Sequence, residues 1–298
     1  MTGRFAPSPS GRMHLGNVFS ALMAWCSVRK QNGTMLLRIE DLDPDRCRTE
    51  YAEQLKKDLL WLGLDWDIES APQSQRSEVY AAYFEKLGNL VYPCYCTRNE
   101  LHDASAPHAT DGQPIYAGTC RNLTDAERAE KTRRPAWRVR VPDETVCFTD
   151  GVFGKVSENL ARDCGDFILR RSDGVYAYQL AVVVDDGNAG VTEIVRGCDL
   201  LSSTPRQLWL QQQFGFAAPD YYHVPLLIAP DRRRLSKRDR DLDLGALQLR
   251  FSAEELIGRL AFAAGLAETE EAISAKELSE IFDWKYIKKE PIVIERFF

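Results

Sequence analysis

Two groups of residues in this chain have types and spacing suited to chemistry. The first lies in "TGRFAPSPSGRMHLGNVFSA", where a polar loop stiffened by two prolines meets an apolar run, with His14 and Gly16 at the junction. A glycine at a helix start lets a ligand approach the backbone, and the N–H groups exposed there favour anions. A histidine beside them suits a phosphate that gains charge during in-line attack, where positioning and electrostatics do most of the work. On its own, His-x-Gly is a weak signal, since a lone histidine is more often structural. The second group is Cys94, Cys96 and Cys120, three of eight cysteines. Clustered thiols in a reducing compartment hold metal more often than disulfides. His102 and His108 lie in the same segment and could supply an imidazole ligand. The other five cysteines (Cys26, Cys47, Cys147, Cys164, Cys198) are scattered and read as ordinary buried thiols.

The elements that must position these groups alternate. "NVFSALMAWCSVRK" has helical composition with basic residues at its end. "NGTMLLRIEDLD" reads as a turn, a strand, and acids at the strand's exit. "YAEQLKKDLLWLGLDW" returns to helical spacing with Leu55, Leu59 and Leu62 on one side, and "VYAAYFEKLGNL" is a further helix ended by Gly88. This order predicts a parallel α/β sheet. From Tyr92 to about Asp163 the pattern breaks, which predicts an insertion holding the three cysteines and a short helix opened by "TDAE". "FILRRSDGVYAYQLAVVVDD" reads as two strands joined by an Asp-Gly turn, and "TPRQLWLQQQF" as a helix with Pro205 near its start. "SAEE" at Ser252 and "SAKE" at Ser274 each predict an amphipathic helix, so the last 60 or so residues are expected to be helical.

The chain has 298 residues and a net charge of -6, which argues against a general nucleic-acid binder. Local basic faces remain: Arg128 to Arg140 holds six basic residues against one acidic, and Asp231 to Arg240 six against two. The first reads equally well as a solvated face. No apolar run approaches the ~20 residues of a membrane span, and no signal-peptide core is visible, so a cytoplasmic protein without membrane partners is expected.

Taken together and in order, "RFAPSPSG…HLGN", "RIEDLD", "VVVDD", "TPRQ" and "RLSKR" resemble the glutamyl-tRNA synthetases. The resemblance runs from Arg4 to about Arg240. It implies an α/β fold: a class I aminoacyl-tRNA synthetase Rossmann fold with a zinc-containing insertion and a small C-terminal helical subdomain. It implies ATP binding by His14, Gly16, Asn17, Ser236 and Lys237, with His14 and Lys237 catalytic and Mg2+ accompanying ATP. Arg234 stands where the second ATP signature usually opens with lysine, and keeps the charge. It implies L-glutamate binding by Arg4, Phe5, Ala6, Pro7, Ser8, Glu40, Tyr178 and Arg196. Two arginines and one glutamate match a ligand with two carboxylates and one ammonium, and an arginine fork suits a planar carboxylate. It implies one structural zinc on Cys94, Cys96, Tyr116 and Cys120, a set in which tyrosine takes the place that His102 or His108 could also fill.

The expected organisation is a first catalytic half at 1–91, the zinc insertion at 92–163, a second catalytic half with the ATP loop at 164–240, and helices at 241–298. Longer members of the family carry an anticodon-reading part after the catalytic domain, and the residues after Lys237 are expected to be too few to hold one. The chain therefore resembles the short branch of the family, which activates glutamate without tRNA. That branch transfers it to queuosine, the modified wobble base in the anticodon loop of tRNA(Asp). Two rival expectations are a minimal synthetase charging the 3′ end of tRNA(Glu), and a non-catalytic zinc-containing RNA-binding module.

Overall fold

A computed structural model describes residues 1–97, 100, 115–232 and 242–294. β1 (Thr2–Phe5) leads through the polar loop into α1 (Leu15–Lys30), and β2 (Thr34–Leu37) returns parallel to β1. α2 (Thr49–Trp61) then carries the chain to β3 (Ile68–Glu69), which pairs with β2. Leu55, Leu59 and Leu62 are all buried, as their helical spacing requires. α3 (Ser77–Lys86) follows, and Gly88 beyond it takes the left-handed φ of 49° that ends the element.

The segment between the two parallel groups is antiparallel, and its sheet runs past the end at 163 expected for the insertion. β4 (Val91–Cys94), β5 (Ala136–Val139) and β8 (Ile168–Arg170) form one sheet in the order β4-β5-β8. Within it, α4 (Asp125–Ala129) is capped by Thr124 as "TDAE" predicts, and β6 (Thr145–Asp150) and β7 (Gly154–Asn159) make a hairpin.

The chain after the Asp173-Gly174 turn departs from the sequence expectation. Arg170 and Tyr176 form a single antiparallel bridge, and then α5 (Tyr178–Asn188) begins where a second strand was expected. Three consecutive valines favour a strand by propensity. Here Leu180 to Asp186 are all buried, and a helix covered on every side has no amphipathic period to reveal it. β9 (Glu193–Gly197) is followed by α6 (Thr204–Phe214), with Pro205 in its first turn, and by β10 (Asp220–Val224) parallel to β9.

The two parallel groups meet between β1 and β9, where the Thr192 N–H donates to the Thr2 carbonyl at 2.9 Å. Consecutive elements leave this line in opposite directions. In such sheets a crevice opens at the carboxyl ends of the strands, and ligands bind there.

After β11 (Leu227–Ile228) come α7 (Leu244–Gln248), α8 (Ala253–Ala264) and α9 (Ala275–Ile281). Ser252 and Ser274 accept the backbone N–H of Glu255 and Glu277 at 3.2 Å, and each glutamate bonds back to its serine. Leu256, Leu260 and Leu278 join the same core as Leu22 and Met23 of α1, so these helices do not enclose a core of their own. α1 is buried nearly all round because the sheet covers one side and α9 the other. The tail is not purely helical: β12 (Ile292–Val293) pairs with β11.

Candidate active site and metal centre

A cavity of about 510 Å³ opens at the carboxyl ends of β1, β2 and β9. Arg4, Phe5, Ala6, Pro7 and Ser8 line it from the end of β1, and His14, Gly16 and Asn17 from the start of α1. Glu40, Tyr178 and Arg196 close it from β2, α5 and β9. Eleven residues expected at two adjoining sites thus line one cavity. Ser236 and Lys237 lie outside the described residues, as does Arg234.

His14 is the N-cap of α1. Its Nδ1 accepts the Gly16 N–H at 3.2 Å, and the Asn17 side chain accepts the His14 N–H at 3.4 Å. In the neutral ring this leaves the hydrogen on Nε2, a donor suited to a phosphate oxygen. The structural role and the anion-binding role are therefore compatible. The first turn of α1 carries no acidic residue to oppose an anion. A Cβ at Gly16 would lie 3.1 Å from the His14 ring, so glycine here leaves the cap room to form.

The amino-acid end of the cavity rests on a buried charge network that sequence reading did not assign. Arg38, 1% exposed, donates from Nη1 to Asp186 at 2.6 Å and from Nη2 to Glu40 at 3.0 Å. Its Nε is 3.7 Å from Asp185. Asp185 also accepts from Gln73 at 2.8 Å, Arg76 at 2.7 Å and Tyr80 at 2.9 Å, which ties α5 to α3. Arg4 stands 3.4 Å from Asp186 and donates to the Val195 carbonyl at 3.2 Å. Counting only Arg4, Arg196 and Glu40 therefore omits one buried cation and two buried anions.

Burial pushes the Glu40 carboxyl above its ordinary range, against the pull of Arg38 and Arg4. Asp186 is also buried, but Arg38 and Arg4 outweigh that and hold it below the usual carboxylate range. Burial raises the Tyr178 phenol, so it remains a hydroxyl donor at neutral pH. "RIEDLD" and "VVVDD" contain these groups, yet nothing in either stretch says that residues so far apart in sequence will touch.

Cys94, Cys96 and Cys120 bring their sulfurs within 4.8 Å of one another. The Cys96 and Cys120 sulfurs are 3.6 Å apart, and the Tyr116 hydroxyl is 3.6 Å from Cys94 and 3.9 Å from Cys96. Three sulfurs and an oxygen around a tetrahedral zinc at ordinary bond lengths stand roughly 3.5–3.8 Å apart, close to these three separations. The Cys120 N–H donates to the Tyr116 oxygen at 2.6 Å, which fixes the phenol among the sulfurs. His102 and His108 lie outside the described residues.

Arg138 sits opposite Tyr92 in the β4–β5 register, on the face that also carries Cys94. Its Nε donates to the Cys94 sulfur at 3.3 Å, and its guanidinium lies over the Tyr116 ring at 3.9 Å. Burial raises the Cys94 thiol, but the charge and hydrogen bond of Arg138 prevail and lower it. Burial and the neighbouring Cys94 push Cys96 up to about 12. Arg138 thus belongs to the insertion's interior and Arg140 lies half-buried over the Tyr92 ring, so the basic run at Arg128 to Arg140 is only partly a solvated face. Of the five scattered cysteines only Cys26 and Cys164 are buried. Cys147 is exposed, and Cys47 and Cys198 are half-buried.

A parallel sheet split by an insertion, with a helix start and a charged crevice at its switch point, is the arrangement of a class I aminoacyl-tRNA synthetase core. Residues 1–296 match the class I tRNA synthetases (E and Q), catalytic domain, and the chain belongs to that family. Among its relatives, a protein of Nitratidesulfovibrio vulgaris named glutamyl-Q tRNA(Asp) synthetase is 50% identical, over 89% of this chain and 86% of the relative. One of the same name from Symbiobacterium thermophilum is 44% identical, over 99% of this chain and 96% of the relative. The fold is similar to that of a glutamate tRNA ligase from Elizabethkingia meningosepticum, crystallised in complex with its amino acid. There the TM-score is 0.83 and the identity 27%, over 98% of this chain and 66% of that one. A glutamate-tRNA synthetase from Elizabethkingia anophelis gives a TM-score of 0.85 at 26% identity, over 99% of this chain and 68% of that one. The chain spans about two thirds of the length of both. No helix among the described residues is long and apolar enough to cross a membrane.

Proposed function

We propose that this enzyme activates L-glutamate with ATP, without tRNA, and transfers it to the queuosine base in the anticodon loop of tRNA(Asp). In the first step a glutamate carboxylate oxygen attacks the α-phosphorus, pyrophosphate leaves, and glutamyl-adenylate forms. In the second, a hydroxyl of the cyclopentene diol attacks the acyl carbon and AMP leaves. The observation that carries the choice of acceptor is the pattern of likeness. Relatives named for glutamyl-Q tRNA(Asp) share 44–50% identity along nearly their whole length, whereas the glutamate-tRNA ligases share 26–27% over about two thirds of theirs.

Arg4 and Arg196 take the two carboxylates of glutamate, Glu40 takes the ammonium, and Ser8 and Tyr178 add hydroxyl hydrogen bonds. Phe5, Ala6 and Pro7 line the same cavity and complete the glutamate site. His14, Gly16 and Asn17, with Ser236 and Lys237, hold ATP with its Mg2+, which neutralises the triphosphate. The protein's contribution is to place the α-phosphate against the carboxylate and to hold cationic donors where charge develops.

Activation is tested by glutamate-dependent exchange of pyrophosphate into ATP. Exchange should proceed without tRNA, require Mg2+, and be far weaker with glutamine, whose amide is a poor match for an arginine arranged for a carboxylate. Equal rates for the two amino acids would contradict this pocket.

Cys94, Cys96, Cys120 and the Tyr116 oxygen hold one structural zinc, which ties the end of β4 to the loop around Cys120. Metal analysis of protein purified without chelator should find close to one zinc per chain. Cys94→Ser or Cys120→Ser should lose it and destabilise the insertion. Tyr116→Phe deletes only the oxygen and should weaken zinc binding. If that variant keeps full affinity while His102→Ala or His108→Ala loses it, the fourth ligand is a histidine.

A further inference from the structure

Arg196 on β9 and His223 on β10 are register partners in a parallel pair, so their side chains share one face of the sheet. The Arg196 Nε donates to His223 Nε2 at 3.0 Å, and His223 Nδ1 lies 2.6 Å from Asp150 Oδ2. Arginine has no acceptor, so Nε2 must be the bare nitrogen, and the ring hydrogen sits on Nδ1 and is donated to Asp150. Asp150 ends β6. Its Oδ1 accepts the N–H groups of Val152 at 3.0 Å and Phe153 at 2.8 Å, and its Oδ2 also accepts the His223 backbone N–H at 3.1 Å. His223 and Asp150 are 0% and 1% exposed.

The remaining hydrogen-bond acceptors of Arg196 are the Gln207 side-chain oxygen at 2.7 Å, the Thr204 hydroxyl at 2.8 Å and the Leu200 carbonyl at 3.4 Å, and its guanidinium lies over the Tyr221 ring at 5.3 Å. Every hydrogen-bond acceptor named for Arg196 is thus neutral, whereas Arg38 meets Glu40 and Asp186 directly. A neutral acceptor fixes a guanidinium without cancelling its charge. We infer that Asp150 and His223 are positioning residues for the amino-acid pocket: the carboxylate sets the ring tautomer, and the bare Nε2 sets the plane of Arg196 while leaving its charge for a ligand carboxylate. This rests on the reading of Arg196 as a glutamate-binding residue, and it links the β6–β7 hairpin to substrate binding.

The groups facing His223 are Asp150 on β6, Arg196 on β9, Thr204 on α6, the Tyr221 ring stacked on it from β10, and, further off, Arg4 on β1. Burial pushes His223 below its ordinary 6.5, and the two arginines add to this against the hydrogen bond of Asp150. The ring therefore stays neutral at physiological pH. Protonation at lower pH would set a donor against the Arg196 N–H.

Asp150→Asn tests the tautomer. The two backbone N–H groups hold its oxygen at the Oδ1 position, so its NH2 faces Nδ1 and drives the hydrogen to Nε2, donor against donor with Arg196. Loss of a charge-assisted hydrogen bond of this kind should raise the KM for glutamate about tenfold or more, with the KM for ATP little changed. His223→Gln keeps an acceptor and His223→Leu has none, so glutamine should cost far less in glutamate KM than leucine. Nitrogen-15 histidine NMR of the whole protein should show neutral, Nδ1-protonated His223 in the wild type and the Nε2–H form in Asp150→Asn. A wild-type Nε2–H tautomer, or an unchanged glutamate KM in Asp150→Asn with the tautomer switched, overturns the inference. Failure of the wild type to exchange pyrophosphate with glutamate would instead refute the substrate reading, and the NMR result would still decide the geometry.

Discussion

Alanine at His14 or at Lys237 is expected to slow glutamyl-adenylate formation by about a hundred- to thousandfold, because each removes a preorganised contact to the charge that develops on the phosphates, worth about 3–4 kcal/mol. For His14 the effect on activity can be told apart from the effect on the fold. The ring also caps α1 through the Gly16 N–H, and losing such a cap costs about 0.5–2 kcal/mol of stability. His14→Asn keeps a capping side chain and removes the imidazole, so it should restore most of the lost stability and little of the activity. Pyrophosphate exchange and thermal unfolding on the same samples separate the two. Near-normal exchange in Lys237→Ala would remove Lys237 from the ATP site.

Replacing Arg38 with methionine should destabilise the protein by about 3–5 kcal/mol, the usual cost of leaving a buried charge without its partner. Arg38 stands within 3.0 Å of Glu40 and Asp186, and Arg76 and Arg4 can take over only part of its role. Asp186 titrates below the ordinary carboxylate range in the folded wild type because Arg38 and Arg4 outweigh burial. That stability is present above the unfolded pKa and is lost as pH falls through the folded one. In Arg38→Met burial dominates instead, the buried carboxyls bind protons on folding, and the deficit relative to wild type should shrink as pH falls from 7 toward 5. Adding Asp186→Asn should recover part of the loss at pH 7. Chemical denaturation at the two pH values measures both effects. A deficit independent of pH would place the cost in packing rather than charge.

Much of the crevice was named in advance by the family resemblance. The residues after β1, the start of α1, Glu40, Tyr178 and Arg196 line one cavity at the carboxyl end of the parallel sheet, where such sheets place their ligands. What stayed hidden depends on contacts between distant segments. Arg38 and Asp186 are neighbours only once the end of α5 meets the segment that follows β2. α5 itself looks like a strand, because "QLAVVVDD" is rich in valine and its burial on all sides erases the helical period. Arg138, in a run that suggests a basic surface, is buried beside Cys94 because β5 pairs with β4. Spacing alone placed the three cysteines together, whereas Tyr116 was implied only by the resemblance, and its hydroxyl reaches the sulfurs through packing. Ser236 and Lys237 lie outside the described residues, so their place rests on the family resemblance.

The central claim is that glutamate ends on a modified base rather than on the 3′ ribose. It is tested most directly by supplying labelled glutamate, ATP and Mg2+ with tRNA(Asp) that contains or lacks queuosine, and with tRNA(Glu), then digesting each RNA and locating the label by mass spectrometry. Label should be found on the queuosine nucleoside, only in RNA that contains it. It should persist when the 3′-terminal adenosine is removed and when an isolated queuosine anticodon stem-loop replaces the whole tRNA. Label on the terminal adenosine of tRNA(Glu), with the queuosine stem-loop left empty, would contradict this account and make the protein a synthetase that charges the 3′ end.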